Sequence, residues 1–373
     1  MNFLSNSSIK IINNMNINNI NINNLSNNLS NNLSNNIYYN KIKNKFLKIY
    51  KSYDKLIIID EIKINDCDIN ISDDSYFISD SLKNKMNNLN NKYKIIYNNI
   101  QIYFITNKNK EKIKNRILKI IKVILTVKKL FGRDLSSQKI TIYDINENKK
   151  LPKKNNDIIG PDNCNSGYCN VLYDKDKNGD IVLYRNEEFY KVLIHELIHA
   201  NFIDYNIIIK QKDSSMDNKI CTNYNILLNE SFTETFACLI NITLVHYYTN
   251  IKIEELFKNE VKFMINNFNK IMNYFKIESM KDIIVENGCK KYFRQKTNVF
   301  SYYILKSINY LNIDIFLKIM NTHCDKNYSV NNFNYNDIYI KFIFKKINEM
   351  DKYIKKEDIN DKKIRLSLYE LSI

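Results

Sequence analysis

Residues 186–203 read N-E-E-F-Y-K-V-L-I-H-E-L-I-H-A-N-F-I, and this stretch determines how the rest of the chain is interpreted. Apolar residues occupy nearly every side of the helix that the spacing predicts, so we expect this helix to be central and buried. Asn186 is the expected N-cap, and Glu187 and Glu188 are expected in the first turn, where the helix dipole favours acids. Ionisable residues are rarely buried in such a helix unless they are paired or bind a metal.

The helix carries an H-E-x-x-H motif, formed by His195, Glu196 and His199. Histidines four residues apart lie on one helical face, so both imidazoles can bind one metal ion. Glu196 lies about a quarter-turn away, where its carboxylate could take a proton from water at that ion. The sequence therefore predicts one Zn²⁺ per chain, with the two histidines as ligands and Glu196 as catalytic base. The alternative is a pair of core histidines beside a glutamate, a rare coincidence in a chain with four histidines.

A catalytic zinc site needs a third protein ligand, and two regions offer one. Asp204 is a weak candidate, because it lies one residue short of the third histidine in the pattern H-E-x-x-H-x-x-G-x-x-H. Downstream, residues 227–241 read L-L-N-E-S-F-T-E-T-F-A-C-L-I-N, an apolar helix with Glu230 and Glu234 on one face. The spacing does not choose between these two acids, and a solvated acidic pair is the alternative interpretation.

H-E-L-I-H followed by N-E-S-F-T-E resembles the gluzincin, or thermolysin-like, class of zinc metallopeptidases over about residues 160–310. The resemblance implies a zincin-like fold in which Glu230 is the third ligand. It also implies that Glu234 hydrogen-bonds a ligating histidine. Gluzincins often place a tyrosine or histidine to stabilise the oxyanion, which makes Tyr302 and Tyr303 candidates, although in a chain with 27 tyrosines a packing role is the better interpretation of each.

Two further features accompany the resemblance. Thirty residues separate His199 from Glu230, more than is usual in gluzincins, so residues 205–224 are expected to form an inserted loop. Residues 181–199 are also similar to uncharacterised metallopeptidase-like proteins of large DNA viruses, and a composition rich in Lys, Asn, Ile and Tyr suits an insect poxvirus.

The function implied by the resemblance is hydrolysis of peptide bonds in a peptide or protein substrate. Two alternatives stay open: a zinc hydrolase of a non-peptide amide or ester, and a catalytically inactive zincin-fold binding protein. The intact Glu196 argues against the inactive protein, because a binding protein has no need of a base beside the metal. The sequence does not decide the oligomeric state.

The composition limits which binding partners and which cellular compartment we expect. The net charge of +16 follows from 56 basic and 40 acidic residues, but these are scattered and no nucleic-acid motif occurs, so we expect no specific nucleic-acid partner. Neither a signal peptide nor a run of about 18 apolar residues occurs, so we expect no membrane partner. Seven cysteines do not suggest a disulfide framework, although Cys164 and Cys169 are close enough to pair. We expect an intracellular, cytoplasmic protein, located in the host cytoplasm or the virion if it is viral.

The predicted organisation is α+β, with a small mixed sheet and an active-site helix followed by a mainly helical C-terminal subdomain. We divide the chain into an Asn-rich arm over 1–50, a poorly defined region over 51–90, an α+β upper part over 91–205 and a helical lower part over 206–373. Within the arm, residues 13–36 have the low-complexity composition of disordered segments.

The upper part contains most of the predicted strands. We expect a strand or hairpin over 95–105, a helix over Lys110–Phe131 that Gly132 ends, and a strand over Lys139–Ile145. A hairpin over 171–184 is expected to turn at Asn178-Gly179. Its second strand, Ile181–Tyr184, is either an ordinary sheet strand or the edge strand that pairs with substrate.

Overall fold

The structure is a computed structural model that describes residues 3–14, 20–57, 62–68, 78–133, 136–170, 178–211, 216, 218–330, 335–356, 359 and 361–372. The helices are α1 (Asn6–Asn14), α2 (Ile20–Asn35), α3 (Ile37–Leu56), α4 (Asp80–Asn87), α5 (Lys110–Leu130), α6 (Pro161–Cys164), α7 (Phe189–Ala200), α8 (Tyr205–Gln211), α9 (Leu228–Thr249), α10 (Ile253–Tyr274), α11 (Lys306–Leu311), α12 (Ile313–His323) and α13 (Tyr335–Ile347). The strands are β1 (Lys63–Asp66), β2 (Asn91–Tyr97), β3 (Ile100–Thr106), β4 (Gln138–Tyr143), β5 (Gly167–Asn170) and β6 (Asp180–Leu183). In the described part of the chain, no helix is long and apolar enough to cross a membrane.

The strands form one mixed sheet in the order β1-β2-β3-β4-β6-β5. β3, β4 and β6 are parallel, and α5 provides the crossover from β3 to β4 that parallel pairing requires. β1, β2 and β5 each pair in the antiparallel direction. The predicted α+β class is confirmed, as are the hairpin at 95–105, the helix at 110–131 and the strand at 139–145. Gly132 follows α5 at φ +67°, a left-handed conformation that glycine adopts readily at a helix end.

The sheet ends at β5, close to α7. β6 lies between β4 and β5, so Ile181–Tyr184 belongs to an interior strand and β5 is the edge. Of the two interpretations of Ile181–Tyr184, the ordinary sheet strand is therefore confirmed and the substrate-pairing edge is wrong. The first strand of the predicted hairpin, over 171–173, lies outside the described residues, whereas the predicted turn residues Asn178 and Gly179 are described. The antiparallel partner of β6 in the structure is β5, residues 167–170.

The Asn-rich N-terminal region differs from the disordered segment expected over 13–36, because residues 20–35 form the helix α2. Its repeat places leucine and serine every four residues, which builds a face that packs against α10. Leu29, Leu33, Ser26 and Ser30 are buried on that face. Each serine hydroxyl donates to a carbonyl three residues earlier in the helix, so its burial leaves no unpaired donor.

Helix α7 is the centre of the fold. It packs against β5, β6, α5 and α9, and every one of its residues is buried, as the sequence predicted. The prediction of Asn186 as N-cap is wrong. The helix begins at Phe189 after Glu188, whose backbone is left-handed at φ 59°, while the Asn186 side chain binds Asp144 and Arg116. The Asn186 side chain binds this buried ion pair and does not cap the helix, because the helix begins only at Phe189, three residues later.

The C-terminal tail, residues 361–372, has no helical structure, and its central part, residues 364–369, is buried in the interior. The backbone amides of Leu366 and Ser367 donate to the two carboxylate oxygens of Glu188, and the amide of Leu368 donates to Glu260 at 2.9 Å. Lys149 completes the group with an ion pair to Glu188 at 2.6 Å. The tail is thus held by main-chain hydrogen bonds to two buried acids, one just before α7 and one on α10.

The cysteines also differ from the expectation. Cys221 and Cys289 form a disulfide across 68 residues, which joins the segment before α9 to the segment after α10. Cys164 and Cys169 are both free, although they are close in sequence. The pairing depends on a tertiary contact, the bridge between Ile220 and Ile284, which no cysteine spacing encodes.

Candidate metal centre

Three potential ligand atoms converge where α7 packs against α9. His195 Nε2 and His199 Nε2 lie 3.1 Å apart. Glu230 lies in the first turn of α9, and its Oε2 is 3.3 Å from His195 Nε2 and 3.5 Å from His199 Nε2. The three side chains form a group that could hold a metal ion.

The spacing of these atoms fits a small tetrahedral ion. Metal–ligand bonds of about 2.0–2.1 Å in a tetrahedral site place neighbouring ligand atoms about 3.3–3.4 Å apart. The three distances of 3.1, 3.3 and 3.5 Å lie around that value. The Glu230 side chain is 14% exposed, more than either imidazole, so the centre is reached from its side of the cluster.

Carboxylates behind the two imidazoles fix their tautomers. His195 Nδ1 lies 3.0 Å from Glu234 Oε2, and His199 Nδ1 lies 2.7 Å from Asp204 Oδ2. Ionised carboxylates only accept hydrogen bonds, so each Nδ1 donates and each neutral imidazole directs the lone pair of Nε2 at the centre. These two lone pairs and the Glu230 oxygen repel one another unless a metal ion or a proton lies between them.

The electrostatics of the centre favour positive charge. Burial alone would lower the pKa of both histidines, but Glu230 and Glu234 raise the pKa of His195, and Asp204 and Glu230 raise that of His199 well above its ordinary value. Burial alone would raise the pKa of Glu230, but His199 and His195 hold it well below the usual range. The same negative groups that attract protons would attract a divalent cation.

Asp204 lies behind His199 and not among the converging atoms, so its weak candidacy as the third ligand is not supported. Its Oδ2 also accepts hydrogen bonds from Asn229 Nδ2 at 3.0 Å and Thr233 Oγ1 at 3.3 Å, both on α9. This orienting role was not predicted from the sequence. The sequence feature that could have indicated it is an acid a few residues after the H-E-x-x-H helix. In the structure the chain forms a turn there, and this turn brings Asp204 to His199.

Asp204→Asn is expected to weaken the affinity of the centre for a divalent metal ion such as Zn²⁺ about 10–100-fold, because an amide orients and polarises His199 less well than a carboxylate. Competition against a chromophoric chelator measures the affinity. Asp180→Asn is the matched control, since Asp180 is an acid on β6 that pairs with Lys139 at the surface. Equal zinc affinities in the two variants would contradict the orienting role of Asp204.

Glu234 is held by two buried lysines. Lys191 Nζ lies 3.0 Å from Glu234 Oε2, and Lys306 Nζ lies 3.3 Å from Glu234 Oε1. Burial alone would raise the pKa of Glu234, but the two lysines hold it well below its ordinary value. Glu234 therefore stays ionised and accepts the hydrogen bond of His195. The sequence signal for Lys191 is a lysine on a helix that is otherwise mostly apolar, whereas no sequence pattern indicates a buried role for Lys306.

Glu196 does not share the centre with the three converging atoms but lies beside it. It is 6% exposed and lines a cavity of about 20 Å³. A cavity of that size holds about one water molecule. Among the described residues, no hydrogen bond or ion pair restrains its carboxylate, and burial raises the pKa of that carboxyl above its ordinary value. Its carboxylate is available to take a proton.

The two candidate tyrosines have different surroundings. Both lie in a π-helical turn, Phe300–Leu305, that leads into α11. The Tyr302 hydroxyl donates to Glu230 Oε2 at 3.1 Å, and Tyr302 lines the cavity beside Glu196. The Tyr303 hydroxyl is buried and has no hydrogen-bond partner in the described part of the structure. The structure brings Tyr302, but not Tyr303, to the centre.

No protein-family model, curated protein or solved structure matches this chain. In the structure, the segment H-E-L-I-H on α7 packs against the segment N-E-S-F-T-E on α9. Side chains from both segments converge on one small centre.

Proposed function

We propose that the protein is a zinc-dependent metallopeptidase with a zincin-like fold. The observation that carries the proposal is the convergence of His195 Nε2, His199 Nε2 and Glu230 Oε2 within 3.5 Å of one another, with the unrestrained carboxylate of Glu196 beside them. Two histidines and one glutamate are a donor set of catalytic zinc sites, which leave a coordination position open.

The residues around the centre fit the steps of hydrolysis. Zinc in such a site supplies a Lewis acid that polarises a carbonyl group and acidifies water. Glu196 takes a proton from the attacking water, and its raised pKa brings it closer to neutral pH, where a general base works best. Tyr302 already donates a hydrogen bond at the edge of the centre, so its hydroxyl is positioned to donate to the carbonyl oxygen of a substrate.

The edge of the sheet favours a peptide over other amides and esters. β5 pairs with β6 on one side and, among the described residues, with no strand on its other side. An extended peptide can add to such an edge through main-chain hydrogen bonds. Gly167, at the start of β5, lines the same cavity as Glu196, so a peptide on this edge would run past the base. A zinc hydrolase of a non-peptide amide or ester would not need this edge.

The protein purified with sufficient metal is expected to contain about one zinc per chain. It should cleave members of a peptide library, lose this activity with a chelator and regain it when zinc is restored; mass spectrometry reads the cleavage. Absence of zinc in a folded protein would contradict the metal site. Bound zinc with hydrolysis of esters or small amides, and of no peptide, would support the alternative hydrolase.

A further inference from the structure

The cavity beside Glu196 is built from six separate parts of the chain. It is lined by Lys149, the segment 164–167 that leads into β5, one side of α7, Glu234 on α9, Tyr302 and the C-terminal tail. From the tail, the lining residue is Leu366. Because His195 and Glu196 belong to the same lining, any group in this cavity lies next to the reacting atoms.

We propose that this cavity is the specificity pocket of the enzyme and that it admits only a small substrate side chain, that of glycine, alanine or serine. The inference rests on the proposed peptidase function and adds the substrate class. The volume of about 20 Å³ matches one water molecule, and so one methyl or hydroxyl group. A valine or leucine side chain would need the walls to move.

Buried ion pairs hold those walls in place. Lys149 and Lys191 both line the cavity and are at most 2% exposed. Lys149 is paired with Glu188 at 2.6 Å, and Lys191 with Glu234 at 3.0 Å. Moving either lysine would leave a buried charge without its partner, which is strongly unfavourable. The pocket therefore cannot enlarge on this side.

The tail limits the pocket on another side. The Leu366 amide donates to Glu188 Oε2 at 3.1 Å, and the Leu366 carbonyl accepts a hydrogen bond from Lys306 Nζ. With both backbone groups held, Leu366 cannot withdraw to admit a larger group. The tail thus contributes a residue to the active site, although it lies more than 160 residues from the H-E-x-x-H motif in the chain.

One polar group in the lining lacks a partner. The Ser166 hydroxyl is buried and makes no hydrogen bond to the residues that the structure describes. A buried hydroxyl without a partner is unfavourable, so a substrate group that bonds to it gains binding energy. A serine side chain offers such a group, whereas alanine does not. Ser166 is therefore expected to favour serine over alanine in the pocket.

The test compares kcat/KM for peptides that carry Gly, Ala, Ser, Val or Leu on either side of the scissile bond. At one of these positions the wild-type protein is expected to prefer the three small residues over Val and Leu by at least about tenfold. Leu366→Ala should reduce this preference to within a few-fold, and Ser166→Ala should remove the preference for serine over alanine. Leu366→Val provides a milder enlargement if the alanine variant does not fold.

Leu368→Ala is the matched control, because Leu368 is fully buried in the same tail and does not line the cavity. It loses the same atoms and is expected to keep the wild-type preference. An unchanged preference in folded Leu366→Ala or Leu366→Val, or a wild-type enzyme that cleaves beside leucine as readily as beside alanine, would overturn the inference while the peptidase function stands. A zinc-loaded wild type that cleaves no peptide would overturn both proposals.

Discussion

Glu196→Gln is expected to keep zinc and the native fold while losing peptide hydrolysis roughly 10²–10⁴-fold, the usual contribution of a general base. The amide has the size of the carboxylate but cannot accept a proton from water. Zinc should remain because Glu196 is not one of the three converging ligand groups. The measurement is kcat on a peptide that the wild type cleaves, together with the zinc content of the same preparation.

Glu187→Gln is the matched control for this loss. Glu187 is also a buried glutamate whose pKa burial raises, in its case to about 7, but it accepts a hydrogen bond from the backbone amide of Lys149 and belongs neither to the converging group nor to the cavity lining. Its glutamine variant should retain kcat within a few-fold. Full activity in Glu196→Gln would show that another group is the base, and loss of zinc from that variant would assign Glu196 to the metal site itself.

Local periodicity explains what could be predicted from the sequence. The positions of His195 and His199 on one face of a buried helix follow from their spacing of four, and α7 has the burial that its apolar sequence predicted. Glu230 and Glu234 were placed on one face in the same way, while the choice of Glu230 as ligand came from the resemblance. In the structure, Glu230 lies close to the Nε2 atoms of both histidines, and Glu234 lies within hydrogen-bond distance of His195 Nδ1.

Partners that are distant in the chain could not be predicted from the sequence. Lys191 reaches Glu234 across 43 residues and Lys306 reaches it across 72, so no spacing rule connects them. The interior path of the C-terminal tail depends on hydrogen bonds to Glu188 and Glu260, two acids whose burial is itself a result of folding. In α2, burial against α10 outweighs a composition that is typical of disordered segments.

Glu230→Ala is expected to purify nearly free of zinc, because it removes one of three ligands and leaves two imidazoles. Folding should survive, since Glu230 is the least buried of the three and is not part of the lysine cluster around Glu234. Metal analysis of the purified variant and a chelator competition give the zinc content and affinity. Hydrolysis should fall with the zinc content and recover only at high added zinc.

Glu234→Gln is the informative comparison. Alanine at this position would leave Lys191 and Lys306 unpaired in the interior at a cost of about 3–5 kcal/mol, so unfolding would confuse the result. Glutamine keeps an oxygen for the His195 Nδ1 hydrogen bond, and zinc affinity is expected to fall only about 10–100-fold. If Glu234→Gln lost zinc and Glu230→Ala retained it, the ligand and orienting roles would be exchanged. If folded Glu230→Ala and Glu234→Gln both bound zinc as tightly as the wild type, the metal would lie outside the cluster of His195, His199 and Glu230.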